Sequence, residues 1–466
     1  MGSKEIDTVA PTKVREWTAT LAIAVRAAFL RGNSLPLLMR VGVPVGNVDP
    51  FAWLSSRHGP DRIIWQARHH NKIRAMFGSA AVIAGDGGFD STILTSEIDR
   101  FLSRPGDEMR FFGGTRFDGS CESDEVWRAF GGYRFVLPRF ELHTRGPNAQ
   151  IYCNLVFPED SENLDSILKV IARLNQGVEE FEEALSTPVT RNDIPDKNEW
   201  VERIQWALGT FSSGQFEKVV LARRTDFKFS APIDPFLLLK RLVGATPNCF
   251  HFYLESDQGA AFVGASPERL FYRNGLQIDS EAVAGTRPRG KTEDVDEEYR
   301  ASLLSSEKDR REHAYVQDSI ESVLRAYCDS VTVDHEASEM RLAQGRHLVS
   351  RISGVLSKPV SNFDLLEDLH PTPAVGGYPT DHAVSVIRDV EKFDRGWYAG
   401  PVGWVGRDSA EFAVALRCGV VDRERLSLFS GAGIVEGSQP DLEWEEIEQK
   451  IVDFINVIGL ELRNTE

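Results

Sequence analysis

HFYLESDQGAAFVGASPERL, residues 251–270, is the stretch on which the fold turns. HFYLES (251–256) and AAFVGA (260–265) are short apolar runs of strand length, separated only by a turn that contains Gly259. No helix-length segment lies between them, as regular βαβ alternation would require. The same grouping recurs on both sides. EKVVLARR (217–224) reads as a strand upstream, and further strand candidates lie near 347–356, 410–420 and 425–430. In the N-terminal part FVLPRFELHT (135–144) and AQIYCNLVF (149–157) read as paired strands, among glycine-rich turns such as GDGG (85–88) and FGG (112–114). Helical patterns fall between the groups: 161–185, 296–328, the C-terminal segment, and a new helix that starts at the end of the polar segment 186–200. In the last of these, Asp196 and Glu199 have capping-box spacing, and Trp200, Ile204, Leu208 and Phe211 form the apolar stripe. Strands in clusters with helices between them predict an α+β architecture. The polar segment STPVTRNDIPDKNEW (186–200), with two prolines, is the best internal boundary. It divides a sheet-rich 1–190 from 191–466, with both halves expected in one compact domain.

At 466 residues the chain can bury a large core, and 42% hydrophobic with 26% charged residues is ordinary for a soluble globular protein. A net charge of -17 argues against nucleic acid or an anionic membrane surface as the partner. An anionic substrate then needs a locally positive pocket or a metal. Five scattered cysteines have no metal spacing and read as reduced thiols. The start, MGSKEIDTVAPTKVREW, has no signal-like apolar stretch, and the run Leu21–Leu30 is interrupted by Arg26 and too short to span a bilayer. A cytoplasmic protein is expected.

Two acidic pairs carry the chemistry. Asp309/Glu312 and Glu443/Glu446 each have i,i+3 spacing, so each pair projects from one side of a helix. The first runs into the stripe Val316, Ile320 and Val323, which turns the acids inward, where an unpaired carboxylate is costly. Two such helices facing each other would make a hard-oxygen site suited to Mg²⁺; two solvated faces of an acidic protein are the equal alternative. Lys218 opens an apolar strand and reads either as a base with a lowered pKa or as a snorkelling edge lysine. Glu268, after a Ser-Pro turn, is either a buried general acid or a turn carboxylate paired with Arg269. GTRPRG (285–290) and FSGAGIVEGS (429–438) read as glycine-rich loops offering close backbone approach, or as plain turns. Arg417, inside an apolar strand, suits a carboxylate or a structural acid. His347 and His370 are each equivocal.

EKVVLAR, GASPERL, AVAGTRPRG, KDRREH, RHLVSRISG, LHPTPAVGGYP, DRGWYAGPVGW, FAVALRC and GAGIVEGSQPDLEWEEIEQK occur in the order seen in chorismate-utilising enzymes. Within that superfamily the chain resembles the isochorismate synthases. The motifs cover roughly 216–450, and GGTRFD…WRAFGGYRFVLPRFEL resembles the longer members of menaquinone biosynthesis. The resemblance implies two packed, mostly antiparallel sheets with helices outside, and a Mg²⁺-dependent conversion of chorismate to isochorismate. It makes Lys218 the base that activates water and Glu268 the acid on the departing hydroxyl. Glu312 and Glu446 match metal ligands, with Asp309 and Glu443 their partners through water. His347, Arg417, Gly431 and Lys450 match substrate contacts, and Gly285, Thr286 and Ala374 line the same pocket. Anthranilate synthases differ at the Lys218 position, with an uncharged residue and ammonia as nucleophile, so no glutamine amidotransferase partner is expected. Aminodeoxychorismate synthases carry a lysine in PIKGT where this chain has AVAGT with Ala284. Salicylate synthases, which go on to eliminate pyruvate, lack the HPTP run; they are the alternative activity. Siderophore or salicylate supply is the alternative pathway, and a monomer is expected.

Overall fold

The computed structural model describes residues 11–460 apart from 33–37, 58, 69–71, 103–107, 175–184, 212–213 and 215. Every strand pair among the described residues is antiparallel, and the strands join into one continuous hydrogen-bonded network. One arm starts at Gly345–Leu356 and runs through Gln277–Pro288, Arg269–Asn274, Ser409–Val414, Pro401–Val405 and Phe111–Thr115 to the long strand Tyr133–Arg145. The other leaves that strand through Lys72–Gly85, Ile63–Gln66, Phe250–Glu255, Ala261–Ser266, Cys418–Asp422 and Arg425–Val435 to reach Lys218–Phe229.

The two arms face each other across an aromatic interior. Phe252, Phe262, Leu221 and Phe429 come from one, Phe271, Phe412 and Ile352 from the other, with Trp127, Phe130 and Trp397 wedged between. Trp127 meets Phe262 edge-on at 5.3 Å and Phe130 lies 5.7 Å from Trp397, contacts worth about 0.5–1.5 kcal/mol each beyond their buried area. Helices cover the outer faces. Phe227, Phe229, Tyr253 and Leu428 pack with helices Pro235–Ala245 and Val452–Val457. Ile278, Ala282 and Ile352 share a cluster with Val316, Ile320 and Leu324 of helix Glu307–Tyr327. No helix among the described residues is long and apolar enough to cross a membrane. Cys153, Cys249 and Cys418 are buried free thiols, and Cys121 and Cys328 are half-buried.

The structure corrects several boundaries. The helix expected over 296–328 is two, Glu293–Ser305 and Glu307–Tyr327. Ser306 is extended between them, and its side chain caps the second helix by accepting from Asp309 N. The C-terminal helix likewise divides at Ile451 into Pro440–Lys450 and Val452–Val457. Of the helix expected over 161–185, Leu164–Arg173 is present, and 175–184 lies outside the described residues. Within the segment 186–200, Pro188–Ile194 is an edge strand on Lys218–Phe229. Pairs such as Ile63–Gln66 with Phe250–Glu255 and Phe111–Thr115 with Pro401–Val405 carry the sheet across that position. Most of GTRPRG and FSGAGIVEGS is strand, within Gln277–Pro288 and Arg425–Val435. Arg417 lies between strands Ser409–Val414 and Cys418–Asp422, not inside one.

Candidate active site

The ends of strands Lys218–Phe229, Arg425–Val435 and Gln277–Pro288 meet helices Glu307–Tyr327 and Pro440–Lys450 around a cavity of about 740 Å³, counted out to its mouth. Glu268, Gly285, Thr286, Glu312, His347, Ala374, Arg417, Gly431, Glu446 and Lys450 all line it. Lys218, Asp309 and Glu443 are buried directly behind the lining, each tied to a neighbour described below. His370 is elsewhere, its Nε2 2.9 Å from the Ala399 carbonyl, a satisfied core histidine.

Lys218 shares a strand face with Val220, two residues on, and that face looks into the cavity. Its ammonium is fully buried, 2.9 Å from Glu312 Oε1, an ion-pair distance without hydrogen-bond geometry. Gly433, with no side chain, leaves room for the pair. A Cβ there would collide with Glu312 Oε1 and stand 3.1 Å from Lys218 Cε. Glycine in this segment therefore serves close approach within a strand, not a loop.

Glu268 sits between strands Ala261–Ser266 and Arg269–Asn274, with its backbone N–H donated to Ser266 Oγ. Arg269 turns away to Glu281 and Glu411, so the exposed-turn alternative does not hold. Burial pushes the Glu268 carboxyl up to about 8, opposed by Lys218 and reinforced by Glu281. It is a protonated acid at neutral pH.

His347 and Arg417 form the cationic, anion-recognising end of the pocket. Burial, then Arg417, pushes His347 down to about 3, so the ring is neutral. Nδ1 lies 2.9 Å from Gly285 O and Nε2 3.1 Å from Arg417 Nη2. Since a guanidinium only donates, Nε2 accepts, and the proton is on Nδ1. Arg417 holds φ +46, a left-handed conformation costing about 1–3 kcal/mol for a residue with a Cβ. Asp453 faces its guanidinium at 3.4 Å and helps hold it there. Lys450 donates to Gly431 O at 2.8 Å, and Tyr398 closes the wall, stacked 5.5 Å from Phe429.

Each of the four acids faces a cation: Asp309 with Arg287 at 2.7 Å, Glu312 with Lys218 at 2.9 Å, Glu443 with Lys308 at 2.9 Å, Glu446 with Lys450 at 2.7 Å. Asp309 and Glu443 are buried, as the stripe required. No three acid, His or Cys side chains among the described residues converge as a metal-holding group. Arg287, Lys308, Tyr398 and Asp453 were not singled out by the residue pattern. The first three lie inside quoted motifs, and Asp453 follows Lys450 by one i,i+3 step.

A family model described as chorismate binding enzyme matches residues 23–459. The chain is 36% identical over 355 residues to isochorismate synthase MenF of Bacillus subtilis, covering 76% of this chain and 75% of that one. It is 33% identical over 380 residues to the chloroplastic isochorismate synthase of Catharanthus roseus, covering 78% of this chain but only 64% of the longer plant relative. The structure of MenF, the menaquinone-specific isochorismate synthase from Escherichia coli, superposes with a TM-score of 0.80 at 27% identity, covering 94% of this chain and 100% of that one.

Proposed function

The chain belongs to the chorismate binding enzymes, and from that premise we propose that it is an isochorismate synthase of the menaquinone type. One observation carries the proposal: Glu268, its carboxyl pushed up to about 8 by burial, lines the cavity that Lys218, buried against Glu312, faces from behind the lining. Lys218, as the free amine once its own proton has passed to solvent, takes a proton from water as the water oxygen bonds to ring C2 of chorismate. The double bonds shift, the C4–O bond breaks, and Glu268 gives its proton to the leaving hydroxyl, which departs as water. Arg417, with His347 fixing its fork, and Lys450 take the substrate carboxylate. Gly285, Thr286, Ala374 and Gly431 shape the walls.

The donor set fits Mg²⁺. Four carboxylates offer hard oxygens from two helices, and their demand for positive charge is visible in the four cations they hold. Glu312 and Glu446, which line the cavity, would hold the ion, with Asp309 and Glu443 behind them through water. When bound it supplies charge neutralisation to a substrate carboxylate. We further propose that the enzyme works in the cytoplasm as a monomer, and that it needs no glutamine amidotransferase, since the buried lysine implies water and not ammonia as nucleophile.

Incubating the protein with chorismate, with Mg²⁺ and with EDTA, and following products by chromatography and salicylate fluorescence is the test. Isochorismate with Mg²⁺ and none with EDTA is expected. Salicylate with free pyruvate would make it a salicylate synthase, and no turnover by folded protein would overturn the assignment.

A further inference from the structure

Lys308 is the member of the four ion pairs whose position is hardest to explain as scaffolding. It stands in the first turn of helix Glu307–Tyr327, where the helix dipole disfavours a cation. Its side chain nevertheless reaches toward the neighbouring helix and donates to Glu443 Oε1 at 2.9 Å. Glu443 is 4% exposed and Lys308 37%, so a solvated stem delivers its charge to a buried acid. The other three cations have second attachments or deep burial. Arg287 also donates to Thr286 O, Lys450 to Gly431 O, and Lys218 is wholly buried. Among the described residues, Lys308 has one hydrogen bond, on a flexible four-carbon stem beside open solvent.

These features are those of a charge that can leave. Resting on the Mg²⁺ reading above, we propose that Lys308 is a displaceable counter-ion, which occupies the carboxylate cluster in the metal-free enzyme and swings out to solvent when the divalent ion enters. Without it Glu443 would be a buried carboxylate lacking its partner, a state that costs stability. With it, the metal must compete for the site. If the lysine is withdrawn in about one molecule in ten, metal affinity before substrate arrives is lowered about tenfold. The device keeps Glu443 partnered in the metal-free cavity and adds one exposed side chain to what the metal must displace.

The test compares the native protein with Lys308→Met, which keeps the stem and removes the charge, and Lys308→Arg, which keeps a charge. Mn²⁺ is titrated without substrate and the free ion read by electron paramagnetic resonance. Melting temperature is measured in EDTA and in saturating Mg²⁺. Lys308→Met is expected to bind Mn²⁺ about tenfold tighter, the population-shift estimate above. It should melt lower than native in EDTA and regain the difference in Mg²⁺. Lys308→Arg should stay near native in both. Unchanged or weaker Mn²⁺ binding by Lys308→Met, or an equal loss of melting temperature with and without Mg²⁺, overturns the proposal and leaves the Mg²⁺ reading standing. No Mn²⁺ binding by any of the three, even with chorismate present, overturns both.

Discussion

Glu141 and Glu268 are both buried carboxyls, 0% and 4% exposed, and their surroundings drive them in opposite directions. Glu141, in the N-terminal sheet, receives two hydrogen bonds from Arg40 and one from Asn154, with His143 at 2.7 Å and Arg74 at 3.9 Å. Burial alone would raise its pKa, but Arg40, His143 and Arg74 outweigh it and hold the group far below the carboxylate range. Among the described residues no arginine hydrogen-bonds the carboxyl of Glu268 in the cavity, and burial outweighs the more distant Lys218, Lys450 and Arg68. Depth therefore does not distinguish a structural acid from a reactive one. The number of fixed donors aimed at the oxygens does.

The largest expected effect is on the reactive side. Glu268→Gln and Lys218→Ala should each lower kcat by about 10²–10⁴-fold with little change in KM, as for groups acting mainly in the transition state. Near-normal kcat in a steady-state assay of Lys218→Ala would place the base elsewhere. Glu141→Ala should do the reverse. It leaves Arg40 and Arg74 facing each other in a buried site and should cost about 3–5 kcal/mol of stability. Urea unfolding measures that loss, and turnover per folded molecule should be retained. Arg417→Ala removes a charge-assisted contact of about 1.5–3 kcal/mol, so KM should rise roughly 10- to 100-fold. Asp453→Asn, which only loosens Arg417, should raise KM several-fold and leave the kcat pH profile in place; an altered profile would mean Asp453 acts directly.

A separate effect is a difference in sign with pH. The folded state keeps a proton on Glu268 up to about 8, while the unfolded chain loses it near 4.5. Glu268 therefore subtracts stability as pH rises from about 4.5 to about 8. Glu141, lowered when folded, adds stability above 4.5 that is lost as pH falls through its folded value. The melting temperature of Glu268→Gln should match native near pH 4 and exceed it progressively up to pH 8. Curves that run parallel throughout would remove the raised pKa, and with it the general-acid role.

The sequence singles out Glu268, with its alternative open, but not Glu141; the acidic pairs are more legible. The acids of helix Glu307–Tyr327 turn inward because Val316 and Ile320 continue their face, a pattern local to one helix. The break at Ser306 is marked in the sequence only by the cap signal of Ser306 and Asp309, since the polar run 305–313 has no apolar spacing to interrupt. Pro188–Ile194 was read as a boundary because an exposed edge strand shows no alternation. Lys450, an i,i+4 partner of Glu446, lies within reach of the sequence, but the pairing of Lys308 with Glu443 does not, since they come from separate helices.

That closure has a consequence in time. On a ribosome, Phe111–Thr115 emerges long before Pro401–Val405, the strand that covers one of its edges, and Ile63–Gln66 long before Phe250–Glu255. For most of synthesis these strands carry open, apolar edges, the condition that invites pairing with another chain. Refolding should accordingly be slow and sensitive to protein concentration, and the nascent N-terminal half a natural client for chaperones until Gly114 meets Val402.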